Sequence, residues 1–161
     1  MNFNIRPMEY DDLKELVQLS LVAWVPVFES FELVLGPTIF ALLYPDWRAS
    51  QRQVVERICG EQEASVVLVA EVEERVAGFI AYELNDESQV GVVHLLAVHP
   101  DFQNAGIGTA LNNAALQRMQ ECGMKLAEVG TGGDPGHAAA RRCYEKAGYT
   151  AMPAVTYLKA L

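Results

Sequence analysis

Hydrophobic and polar positions change rhythm twice along this chain. Phe3 to Arg6 reads as a short strand, and Pro7 with the acidic run Glu9-Tyr10-Asp11-Asp12 opens a helix in which Leu13, Leu16, Val17 and Leu21 recur every three or four residues. Pro26 ends or kinks it. Phe28 to Tyr44 predicts an apolar helix broken at Gly36-Pro37, and Trp47 to Cys59 another that stops at Gly60. Beyond Gly60 the β-branched runs Ser65 to Val72 and Val76 to Leu84, parted by Glu73-Glu74-Arg75, predict an antiparallel hairpin. Gly91 to Val98 is apolar on both parities, which predicts a strand buried on both faces in the middle of a sheet.

The helical period then returns. Ile107 to Cys122 places Ile107, Leu111, Ala115 and Met119 on one stripe, with Gly123 at its end. Lys125 to Gly130 predicts a strand. Asp134-Pro135 supplies a capping residue followed by proline for a helix reaching Lys146, and Tyr149 to Leu158 predicts a strand or hairpin at the sheet edge, where Pro153 is tolerable. The order β, helices, β-β-β, α, β, α, β describes a mixed α/β domain built on one sheet. An edge strand near Val155 to Leu158 would also let two subunits pair as a homodimer.

Length and composition narrow the class. The 161 residues predict one domain over 1–161, long enough to bury a core without metals or disulfides. With 12 Lys and Arg against 21 Asp and Glu, the net charge of −9 argues against nucleic acid and anionic membrane surfaces as partners. Cys59, Cys122 and Cys143 are odd in number and lack metal-ligand spacing, so reduced thiols and no metal site are expected. The N-terminus has no basic, apolar leader pattern, and the apolar stretch Leu19 to Phe28 is interrupted by Ser20 and Pro26. A cytoplasmic protein is the resulting expectation.

The chemistry concentrates in Leu95 to Leu111. There a strand runs into Gln103-Asn104-Ala105-Gly106-Ile107-Gly108 and then into a helix. The first amides of a helix lack internal partners and sit at the positive end of its dipole, and glycines let backbone approach a diphosphate. In a chain of charge −9, backbone amides are a sensible way to hold a polyanion; relief of packing at a strand-helix corner is the other role for Gly106 and Gly108. No Gly-Lys-Ser/Thr tripeptide of a Walker loop is present. The dinucleotide fingerprint fails because Leu111 stands at its third glycine, and the Gly130-Thr131-Gly132-Gly133 cluster fails it at Pro135.

Val98-His99-Pro100 followed by Gln103-Asn104-Ala105-Gly106-Ile107-Gly108 resembles the signature of the GCN5-related N-acetyltransferase superfamily, Val-x-Pro and then Gln/Arg-x-x-Gly-x-Gly/Ala. Cys143-Tyr144-Glu145-Lys146-Ala147-Gly148-Tyr149 is similar to its second motif, (F/L)YEKxGF. The likeness is strong from Ser65 to Tyr149. It implies a mostly antiparallel central sheet flanked by helices, and an acyl-CoA N-acyltransferase with acetyl-CoA as donor and a small-molecule or peptide amine as acceptor. A non-catalytic acyl-CoA-binding regulatory module is the alternative.

The resemblance also implies roles for particular residues. The backbone of Leu96, Ala97 and Val98 would pair with the pantetheine arm, and amides from Gln103 to Thr109 (Gln103, Asn104, Ala105, Gly106, Ile107, Gly108, Thr109) would hold the pyrophosphate. Tyr144 matches the tyrosine that returns a proton to the departing thiolate, a task suited to a phenol that stays protonated at neutral pH. For the base, His94 on the central strand can deprotonate an amine; a core histidine role, Glu83 or bulk water are the alternatives. His137 stands where many members carry an asparagine that contacts the cofactor. His99 turns the chain. Trp24, Phe28, Phe31, Tyr44 and Trp47, with Glu29 and Glu32, would line an amine pocket or else form core and solvated surface.

Overall fold

The computed structural model describes residues 2–60 and 65–161. Strand β1 (Asn4–Pro7) leads through a short acidic turn into helix α1 (Leu13–Ala23), followed by α2 (Val25–Leu43) and α3 (Trp47–Gly60). Strands β2 (Val66–Val72), β3 (Arg75–Asn85) and β4 (Val90–Val98) then form a meander. Helix α4 (Ile107–Glu121), strand β5 (Leu126–Val129) and helix α5 (Ala138–Lys146) follow. The sheet order is β1-β2-β3-β4-β5, antiparallel except for the parallel β4–β5 pair.

Local chemistry explains the breaks between helices. Pro26 falls in the first turn of α2, where a missing N–H costs nothing, so it separates α1 from α2 instead of ending a helical region. Gly36 at φ 73° and ψ 162° interrupts α2 as Gly36-Pro37 predicts. Tyr10 to Leu43 is a helical run long and apolar enough by length and composition to cross a membrane. Against that use, Leu16, Val17 and Leu19 of α1 are buried in the core, and Gly36 breaks the continuous hydrogen bonding a span would need.

The sheet has a core on each face. Leu16, Val17, Val55, Val69, Phe79 and Leu95 pack under α1 and α3, while Ile80, Tyr82, Val93, Ile107, Leu111 and Met119 pack under α4. Gly78 is what lets α4 close on the sheet. A side-chain carbon there would lie 2.8 Å from the Ala97 carbonyl oxygen and 3.1 Å from Ile107.

Two expectations are corrected. The strand buried on both faces at the sheet centre is β3, whose Val76 to Tyr82 are buried throughout; β4 lies one place outward. On β4 only Gly91, Val93, Leu95 and Ala97 are buried, and the four-residue β5 pairs with only its first half. The second correction concerns the C-terminus, where Thr150–Leu161 forms no strand and Met152, Val155 and Tyr157 are exposed. Pro153 lacks an N–H and the edge of β5 offers only a short ladder. The subunit pairing expected from that segment has no strand to rest on.

Candidate active site

The site begins with an irregularity in β4. Ala81 pairs with Leu95 but Tyr82 pairs with Val93, so His94 is an extra residue, a β-bulge. The bulge reverses the alternation: Val93 joins the core under α4, whereas Leu95 and Ala97 join the core under α1 and α3. His94 therefore does not share a face with both Val92 and Leu96, as simple alternation predicts.

At the same level the parallel ladder ends. Its last pair is Val93 with Val129, and beyond it β4 and β5 part. A cleft of about 750 Å³ opens between them, lined on one side by His94 to Val98 and on the other by Val129, Gly130 and Thr131. Ala97 pairs with Phe79, and the His99 amide bonds the Ala77 carbonyl at 2.8 Å, so the odd-numbered residues here face β3. The backbone groups of Leu96 and Val98 consequently point into the gap. The Val98 carbonyl accepts from Gln103 Nε2 at 3.2 Å.

One end of the cleft is made of amides. His99 Nδ1 accepts from the Asp101 N–H at 3.2 Å and so folds the turn after β4. Asn104 at φ 61° and Gly106 at φ 83° then take left-handed conformations that swing the chain into α4. Among the described residues no side chain caps α4, so its first N–H groups can meet an anion. Gln103, Asn104, Gly106, Ile107, Gly108 and Thr109 line the cleft, whereas Ala105 does not.

The remaining walls come from α5 and from the α1–α2 junction. Tyr144 is buried against the cleft, with its ring edge-on to Tyr149 at 5.6 Å, and the Tyr149 hydroxyl donates to Asn112 Oδ1 at 3.4 Å. Burial, with smaller contributions from Cys143 and Tyr149, pushes the Tyr144 phenol well above its ordinary value of 10.0, so it keeps its proton at neutral pH. His94 Nε2 lies 3.2 Å from Glu83 Oε2. His137 also lines the cleft, with its Nδ1 on Asp134 Oδ1. Cys143 lines it as well, but His137 is engaged by Asp134 and forms no Cys-His pair.

Charge is sorted sharply. Among the described residues no Asp or Glu lines the cleft, while Arg142 and Lys146 do. The net charge of −9 is thus kept away from the place where an anion would bind. The acid-rimmed aromatic pocket is not formed: only Trp24 of the five aromatics reaches the cleft. Phe28 stacks on Trp47 with centroids 4.3 Å apart, Phe31 stacks on Tyr44 at 5.6 Å, and Glu29 and Glu32 are exposed. From the sequence Asp134 reads only as a cap and Thr131 has no role; the Asp134-x-x-His137 spacing is the signal that joins the pair. Among the described residues no three His, Cys, Asp or Glu side chains gather as a metal site.

Comparison with known proteins places this architecture. The Acetyltransferase (GNAT) family model matches residues 36–149, more than half of the chain, and the protein belongs to that family. A mycothiol acetyltransferase from Sanguibacter keddieii is 36% identical over 93 residues, covering 55% of this chain and 29% of the relative. The chain spans less than half the length of the first curated relatives it matches. Among solved structures, the PaiA N-acetyltransferase from Thermoplasma acidophilum in complex with coenzyme A has a TM-score of 0.67 at 16% identity, covering 93% of this chain and 91% of that one. A GNAT family acetyltransferase from Brucella melitensis in complex with acetyl-CoA scores 0.65 at 21% identity, covering 93% and 84%. These two likenesses show a shared fold.

Proposed function

We propose that the protein is a cytoplasmic acyl-CoA-dependent N-acyltransferase that moves an acetyl group from acetyl-CoA to a primary amine. The observation that carries this reading is the parting of β4 and β5 at the His94 bulge, beside the uncapped amides of α4 and the buried phenol of Tyr144. Acetyl-CoA supplies an activated thioester. The gap-facing backbone of Leu96 and Val98, flanking Ala97, suits the amides of a pantetheine arm, and the Gln103 to Thr109 turn suits a pyrophosphate. Of that turn, Ala105 contributes shape, since it does not line the cleft.

The chemistry follows from the side chains. His94, backed by Glu83, takes a proton from the acceptor ammonium. The neutral nitrogen attacks the thioester carbonyl, the C–N bond forms as the C–S bond breaks, and Tyr144 gives its proton to the sulfur. A strand amide in the gap helps hold the charge that develops on the carbonyl oxygen. The α1–α2 junction, with Trp24 at the cleft, is the proposed acceptor side.

A thiol-release assay with acetyl-CoA tests this across polyamines, aminoglycosides, amino acids and peptide N-termini. Release is expected to depend on amine and to fall by on the order of 10²-fold or more in Tyr144→Phe, with coenzyme A affinity retained. Unchanged turnover in that variant would remove Tyr144 from the acid role. Coenzyme A binding without amine-dependent release in the wild type would favour the regulatory module.

A further inference from the structure

The cleft contains a second carboxylate-held imidazole. Asp134 and His137 are paired through Asp134 Oδ1 and His137 Nδ1, and the pair is better enclosed than Glu83 and His94: the Asp134 side chain is 8% exposed against 44% for Glu83. Asp134 is fixed by other bonds. Its Oδ2 accepts from the Gly136 N–H at 3.0 Å, that same N–H reaches Ser30 Oγ at 3.0 Å, and Arg141 donates to the Asp134 and Gly132 carbonyls. Burial would push the Asp134 carboxyl up, but hydrogen bonds with Ser30 and His137 outweigh it and hold the group below its ordinary value. Asp134 is therefore an anion held just behind the cleft wall, where it meets His137.

That arrangement fixes the imidazole chemically. An ionised carboxylate accepts only, so Nδ1 donates to it, and in the neutral ring the lone pair is on Nε2. His137 Nε2 makes no hydrogen bond among the described residues, and the ring lines the cleft. Asp134 binds the ring from its own turn, Phe31 of α2 lies with its ring centroid 5.5 Å away, and Arg142 and His94 line the same cleft. A cation formed on His137 thus meets one compensating charge, Asp134.

Proton accounting supplies the task. An ammonium nitrogen loses two protons to become an amide nitrogen, while the departing sulfur takes one proton from Tyr144. One imidazole, His94, holds one of the two. We infer that His137, oriented by Asp134, is the second proton acceptor of the cleft, taking the proton that leaves nitrogen as the amide forms. Passing it back to the Tyr144 phenolate restores the acid, so one proton per turnover reaches solvent through His94. This inference rests on the acyl-transfer reading.

The test uses an amine that the wild type acetylates. His137→Gly is expected to lower kcat on the order of 10²-fold while the KM for acetyl-CoA stays within about threefold, and added imidazole should restore at least about tenfold. Asp134→Asn, which keeps an oxygen for the Gly136 N–H, should lower kcat about tenfold; it carries the test if His137→Gly fails to fold. Unchanged kcat in both variants overturns the inference. So does a rise in the acetyl-CoA KM with kcat unchanged, which is the signature of a cofactor contact. A wild type that releases no thiol with any amine overturns the acyl-transfer reading itself and is told apart because no variant is involved.

Discussion

The two walls of the cleft are made of different material. The β4–α4 wall presents main chain: gap-facing groups of Leu96 and Val98, and the uncapped amides that begin α4. The α1–α2–α5 wall presents side chains, with Trp24 from one side and His137 and Tyr144 from the other. In the proposed function the backbone wall is the one that would hold a pantetheine arm and a diphosphate, and its specificity would lie in conformation. In the proposed reaction the side-chain wall meets the acceptor and carries Tyr144 and His137, with His94 reaching in from β4, so substitutions on the two walls should separate cofactor binding from acceptor use.

The largest separation is expected at Gly106. Its φ of 83° is left-handed, so Gly106→Val must strain or rebuild the turn that aims the α4 amides. Coenzyme A affinity measured by calorimetry should fall about tenfold or more, corresponding to roughly 1–3 kcal/mol of backbone strain. Wild-type affinity in that variant would show that the turn does not hold the pyrophosphate. Apart from its chain neighbours, no atom of the described residues lies within 4 Å of a side-chain carbon built at Gly106, so a loss would report the turn's conformation and ligand approach instead of a clash within the protein.

The same difference explains what was legible in the sequence. A backbone wall leaves a spacing signature, because Gly106, Gly108 and the turn after Pro100 must recur at fixed offsets for the amides to converge. Helices α1 to α5 and all five strands were readable from period and punctuation for a similar reason. Other features were not local. The bulge at His94 depends on how β3 and β4 register, and β4's half-open face depends on the shortness of β5. Thr150–Leu161 carries strand-forming residues, yet a strand exists only where a partner edge receives it. The aromatic residues of α2 and α3 carry no signal that separates a pocket from a core, and packing sends four of the five into a stacked cluster.

A smaller effect is expected on the side-chain wall. Trp24→Ala removes aromatic surface at the cleft and leaves the main chain of β4 and the α4 turn unchanged in sequence. It should raise the acceptor KM about three- to tenfold, with coenzyme A affinity within about twofold, as expected for lost substrate binding. Equal losses for both ligands would mean that the walls are not independent.

The smallest effect lies outside both walls and serves as a control. Arg6 binds Asp12 through two bonds of 2.7 and 3.0 Å and reaches Glu71 at 2.9 Å, tying the start of α1 to β1 and β2. The Arg6 bond, together with the Glu9 N–H and opposed by burial, holds the Asp12 carboxyl below its ordinary value. A depressed carboxylate contributes stability that is fully present above its unfolded value, near 3.9, and lost as pH falls through the folded value. Arg6→Gln should flatten that acid dependence in thermal melts below about pH 4 and leave coenzyme A affinity unchanged. A full acid transition in the variant would remove this pair as its source.

The most direct test of the central claim follows the acetyl group itself. Protein incubated with isotopically labelled acetyl-CoA and the amine panel should yield free thiol and labelled N-acetyl amide in equal amounts. Coenzyme A bound in the cleft with no labelled amide from any amine would contradict the account.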